Sequence, residues 1–129
     1  MKMQAERIEG VNAIARHASE GVVVNGTEYR HSVLVPWQGK VVHWPVDSFE
    51  ALTAEHFERI AAMSPEIVIF GSGSRLRFPP GAVMRPLIER RIGFETMDVA
   101  AAARTYNVLL VEGRTVVVAL LFEPATKAG

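Results

Sequence analysis

The chain has no cysteine. Disulfides, thiolate nucleophiles and cysteine-ligated zinc are therefore excluded, and the fold must rest on packing and hydrogen bonds. It also has no net charge, since 14 Lys and Arg balance 14 Asp and Glu. No global field draws it toward nucleic acid or acidic lipid. Long apolar runs are missing as well. The longest, Thr115 to Phe122, is strand-sized and falls far short of the roughly 20 residues that cross a bilayer. The opening MKMQAERIEG carries Glu6 and Glu9 without an apolar centre, which is not a secretory signal. These absences lead to the expectation of a cytoplasmic protein with no membrane span.

What is present is an ordinary globular composition, with 49% hydrophobic and 22% charged residues. A chain of 129 residues reads as one domain, 1–129, with an ordered core over about 8–123. It can bury roughly two-thirds of its unfolded surface without metal or disulfide staples. Charge is uneven along it. Residues 1–65 hold six Lys/Arg against eight Asp/Glu, and Arg75, Arg77, Arg85, Arg90 and Arg91 later crowd one segment opposed only by Glu89.

The first zone, from about Ile8 to Val46, reads as β structure. Ala13 to His17 alternates in part, and Val22-Val23-Val24 meets Asn25-Gly26 before Thr27 to Arg30. Asn-Gly between β-formers is a strong hairpin signal, because both residues tolerate positive φ. His31 to Val35 continues as strand to Pro36, and Val41 to Trp44 is another short strand before Pro45. The second zone opens with a helix capped by Thr53, with Phe57, Ile60, Ala61 and Ser64 at helical spacing and Pro65 as its stop. Glu66 to Phe70 is apolar on both faces, which suits an inner strand. Ala82 to Ile92 reads as a second helix, and Pro86 fits it only if the helix starts near Met84 or Arg85. The third zone holds a short strand Gly93 to Met97 and a helix from Val99 to about Glu112, with Asp98 as N-cap and Gly113 as stop. A second two-faced strand, Arg114 to Phe122, precedes a tail, Pro124 to Gly129, read as frayed. Val68 and Val117 should be buried, and Tyr106 should pack over neighbouring inner strands. The order predicts an α/β fold: three layers, with a central mixed sheet, helices, and an additional N-terminal β layer.

The chemistry-bearing stretch is FGSGSRLRFPPG, residues 70–81. A glycine-rich turn after a central strand can aim backbone N–H groups at an anion, or can simply use its glycines for backbone geometry. The third glycine of a dinucleotide fingerprint and the Gly-Lys-Ser/Thr of a P-loop are both missing. Gly-Ser-Gly-Ser is also not the Gly-x-Ser-x-Gly of a hydrolase elbow. The candidate ligand or anion site is Gly71, Ser72, Gly73, Ser74 and Arg75, with Asp98 and Arg104. Arg104 is expected in an ion pair with Glu95 or Asp98, or held by the Gly71 loop. The candidate partner surface is Arg75, Arg77 and Arg85. His17, His31, His43 and His56 lack metal-ligand spacing, although the first three lie on β segments that could converge. No metal or cofactor is expected.

Phe70-Gly71-Ser72-Gly73, Gly93 to Asp98, Ala101 to Leu110 and Glu112-Gly113-Arg114 resemble one family. It is the small uncharacterised-domain family that includes mitochondrial respiratory complex I assembly factors and a vertebrate protein associated with adipogenesis. The likeness runs from about Ile8 to Leu121, and its more specific part is Arg104-Thr105-Tyr106-Asn107 with the upstream Met97-Asp98. The resemblance implies the three-layer α/β fold and action through protein partners. Val99 stands where the family pattern has threonine, and Ala103 where cysteine is common, so no role can rest on that hydroxyl or thiol here. The expectation is a protein-binding or assembly module without catalysis, its partner an unidentified protein and not nucleic acid. The alternative is an enzyme-like small-molecule or anion site at the Gly71–Arg75 loop.

Overall fold

The computed structural model describes residues 10–124. The expected core start at Ile8 and the tail beyond Pro124 lie outside the described residues. Strands β1 (Ile14–Ala18), β2 (Gly21–Val24) and β3 (Thr27–Tyr29) form an antiparallel meander. Its β2–β3 turn places Asn25 and Gly26 at φ 50° and 86°, the doubly positive turn expected of Asn-Gly. The remaining strands are β4 (Val33–Pro36), β5 (Val42–His43), β6 (Ile67–Gly71), β7 (Gly93–Met97) and β8 (Val116–Leu120). They make one five-stranded sheet in the order β5-β4-β8-β6-β7. Strands β6, β7 and β8 are mutually parallel, whereas β4 runs antiparallel to β8 and β5. The sheet is mixed, with the two apolar strands β6 and β8 side by side at its centre.

Alternation along those strands assigns the two cores. Val68, Phe70, Val117 and Ala119 face helices α1 (Ala54–Ala61) and α2 (Gly81–Glu89) in one cluster that also holds Trp44, Phe57 and Leu87. Ile69, Val116, Val118 and Leu120 face helix α3 (Val99–Val111) and the three-stranded meander in the other. Val68 and Val117 are fully buried, as their two-faced pattern requires. The architecture is the three-layer α/β arrangement with an N-terminal β layer. Among the described residues no helix is long and apolar enough to cross a membrane.

Four local expectations are corrected. The strand beginning at His31 starts at Val33 and includes Pro36, which ends the ladder opposite Val117. The strand over Val41 to Trp44 shrinks to Val42–His43, because Trp44 turns into the core. Ser64 does not share the α1 face; it sits at φ 56° beyond the Ala62 C-cap, the left-handed conformation that commonly ends a helix. Helix α2 begins at Gly81 and carries Pro86 inside it. Pro86 is buried while Ala82, whose carbonyl loses its helical donor, is exposed, so water can replace the missing N–H.

Candidate binding site

The Gly71–Phe78 loop leaves the carboxyl end of β6 and folds back on itself. Gly71 is set by close packing: a Cβ there would lie 3.2 Å from the Ala102 Cβ and 3.3 Å from the Val99 Cα. The small residues that open α3 thus approach β6 directly. Ser72 is fully buried. Its amide donates to the Met97 carbonyl at 2.8 Å. Its hydroxyl donates to the Arg75 carbonyl at 2.7 Å and accepts from the Arg77 amide at 2.8 Å. Gly73 sits at φ 106°, and its carbonyl accepts from the Val99 amide at 2.9 Å. Asp98 caps α3 by accepting from the Ala101 amide at 2.8 Å. Loop and helix start are therefore one hydrogen-bonded unit.

Arg77 closes the loop from beneath. Its guanidinium donates to the Ser72 carbonyl, pairs with Glu123 at 2.8 Å, and lies 4.8 Å over the Phe49 ring. Burial pushes the Glu123 carboxyl up. Hydrogen bonds from Arg77 and the Phe49 amide, with the charges of Arg77 and Arg75, outweigh that and hold it below the usual carboxylate value. Two expectations are corrected here. Arg77 is not free for a partner, because its side chain is only 15% exposed and is spent on these contacts. Arg104 has no ion pair: it points outward from α3, and among the described residues its side chain makes no hydrogen bond or salt bridge. The fold thus gathers Gly71, Ser72, Gly73 and Asp98 around buried hydrogen bonds and leaves Arg104 apart.

Facing outward are Ser74, Arg75 and Arg85. Leu76, Phe78 and Ile88 accompany them at 52%, 70% and 60% exposure. The sequence signals this apolar component only by setting Leu76 and Phe78 on either side of Arg77 in a short loop.

Tyr106 and Asn107 act at a distance from the loop. The single proton of the Tyr106 hydroxyl is shared between the Asn12 carbonyl at 2.6 Å and the Pro36 carbonyl at 3.0 Å. Burial pushes its phenol well above the ordinary value. Asn107 accepts from the Ile14 amide at 3.0 Å and donates to the Ile14 carbonyl at 2.8 Å, so it mimics a neighbouring strand for β1. The Tyr-Asn pair therefore ties α3 to the N-terminal layer.

Fold and loop together define a small three-layer α/β domain with a buttressed loop at the end of its central parallel strands. A model of the family "Protein of unknown function (DUF498/DUF598)" matches residues 14–121, and the chain belongs to that family. It is 35% identical over 118 residues to NADH dehydrogenase [ubiquinone] 1 alpha subcomplex assembly factor 3 of Bos taurus, covering 89% of this chain but 63% of that protein. It is 25% identical over 118 residues to the 13 kDa major membrane protein of Francisella tularensis, covering 90% of this chain and 95% of that one. Among solved structures, a Bordetella parapertussis protein superposes with a TM-score of 0.84 at 35% identity, covering 91% of this chain and all of the other.

Proposed function

We propose that this protein works by associating with another protein and catalyses no reaction of its own. The contact surface is formed by the outward residues of the loop and of α2: Arg75, Leu76, Phe78, Arg85 and Ile88. The observation that carries the reading is the exposure of Leu76, Phe78 and Ile88 in the same stretch of chain as the exposed Arg75 and Arg85. Apolar and aromatic side chains interleaved with arginine are the composition of interface centres. The hydrogen bonds that hold the loop beneath them support the same reading, because a preordered surface loses less entropy on binding. The name of the bovine relative, an assembly factor, is consistent with it. On this reading the chain functions as one domain in the cytoplasm.

The test is capture of partners by the full chain from its native cell extract. Arg75→Ala, Phe78→Ala and Arg85→Ala should each weaken capture while leaving the melting temperature nearly unchanged. Capture unaffected by all three would overturn the proposal, as would a defined reaction abolished by changing Ser72 or Asp98.

A further inference from the structure

A groove of about 620 Å³ lies between the end of the N-terminal meander and the β4–β5 edge of the main sheet. Its walls include Glu20, Arg30, His31, His43, Asp47 and Phe122. His43 stands on β5 opposite Val33, and His31 lies in the bend that leads into β4. Their ring centroids are 4.2 Å apart, with the planes tilted by 49°.

The orientation of His31 is prescribed. Its Nδ1 lies 3.1 Å from the Ser32 carbonyl, an acceptor only, so this contact suits the neutral tautomer with the proton on Nδ1 and the lone pair on Nε2. Ser32 is itself immobilised. It is buried, its hydroxyl accepts from the Phe122 amide at 2.9 Å, and its carbonyl accepts from the Trp44 amide at 2.9 Å. An imidazole that donates one nitrogen to a fixed backbone carbonyl and offers the other is the arrangement of metal-bound histidine.

The groove walls carry the carboxylates of Glu20 and Asp47 together with Arg30; Arg30 is paired with Glu28 at 2.9 Å and also feels the charge of Glu20, and Glu123 is paired with Arg77. From these observations we infer that His31 and His43 together chelate a divalent ion of the later first-row transition metals, with Zn²⁺ and Ni²⁺ as representatives. Imidazole pairs select this class of ion over magnesium or calcium. At Zn–N distances of about 2.0–2.1 Å and a tetrahedral angle, two imidazoles sharing one ion have centroids roughly 5 Å apart. The rings need to open by about 1 Å, which exposed side chains accommodate by torsional changes. Among the described residues no group of three or more His, Asp, Glu or Cys is already arranged as a metal cluster. The protein thus supplies two ligands, and water fills the remaining positions.

The experiment uses the full chain without an affinity tag. Zn²⁺ is titrated against a chromogenic competing chelator at neutral pH, and Ni²⁺ is then added in substoichiometric amount to ¹⁵N-labelled protein. One equivalent of Zn²⁺ should bind. His31→Ala and His43→Ala should each weaken it by at least the roughly 10- to 100-fold that loss of even an outer partner costs, and His17→Ala should not. Ni²⁺ should broaden the amide signals of residues 31–33 and 42–44 before others. Both variants should melt with the parent protein, because both rings are exposed. Unchanged Zn²⁺ affinity in either variant, equal loss in His17→Ala, broadening centred elsewhere, or no Zn²⁺ binding at millimolar concentration would overturn the assignment.

Discussion

Replacing Tyr106 with Phe removes one oxygen from the most connected polar group in the core. The hydroxyl serves two carbonyls, those of Asn12 and Pro36. They are not equally dependent on it. The Pro36 carbonyl keeps a second donor, the Asn12 Nδ2 at 2.9 Å, while the Asn12 carbonyl is left without the phenol that approached to 2.6 Å. One buried acceptor is therefore stranded, which places the cost at about 2 kcal/mol. A second signature follows from proton linkage. Burial raises the phenol's folded pKa above its unfolded value near 10, so the native state holds this proton after the unfolded chain has released it. The stabilisation is complete below about pH 10 and is lost as pH rises toward the folded pKa. By pH 11 the parent protein should have lost about 1.4 kcal/mol that Tyr106→Phe cannot lose. Urea denaturation of both proteins at pH 7 and pH 11 measures this, and Tyr29, common to both, cancels in the difference. The stability gap should shrink from about 2 kcal/mol to below about 1 kcal/mol. A gap already absent at pH 7, or one that does not change with pH, would refute the account of Tyr106 as a buried, proton-bearing clamp.

Other outcomes follow from the loop and helix start. Asp98→Ala should lose about 1 kcal/mol in chemical denaturation through the vacated Ala101 amide, whereas Arg104→Ala should stay within about 0.5 kcal/mol because Arg104 is exposed. Gly73→Ala should cost roughly 1–3 kcal/mol, since the residue sits at φ 106° and the new Cβ would lie 2.6 Å from the Arg77 Nη2; the same variant should free the Arg77 guanidinium, visible as faster exchange of its Nε proton. Glu123 has its pKa depressed in the folded state. Its contribution is therefore present above its unfolded value and lost as pH falls through the folded one. Arg77→Ala should flatten the acid limb of the stability profile, and an unchanged limb would count against the Arg77–Glu123 pair.

Much of the fold was legible because it depends on neighbours in sequence or on a simple period. Asn25-Gly26 dictates a turn that needs two positive φ angles in succession, and the helix after Asp98 begins where a short acidic side chain can reach an amide three residues on. Ile67 to Phe70 and Val116 to Leu120 are apolar at every position, which only a strand covered on both faces satisfies. Pairing across the chain is different, because composition and period record which face an element buries but not what it meets there. Arg77 and Arg104 look alike in sequence, yet one is drawn beneath a glycine loop by a carboxylate 46 residues away and the other faces solvent. Ser72, in a stretch that looked like an open loop, is enclosed because Met97 and Arg77 converge on it from a neighbouring strand and from its own return. Pro86 lies inside a helix because an exposed carbonyl there can turn to water. The approach of His31 to His43, and the hold of Tyr106 and Asn107 on the N-terminal layer, exist only once β4, β5 and α3 have taken their places. These are contacts between residues that no local pattern links, and tertiary packing alone decides them.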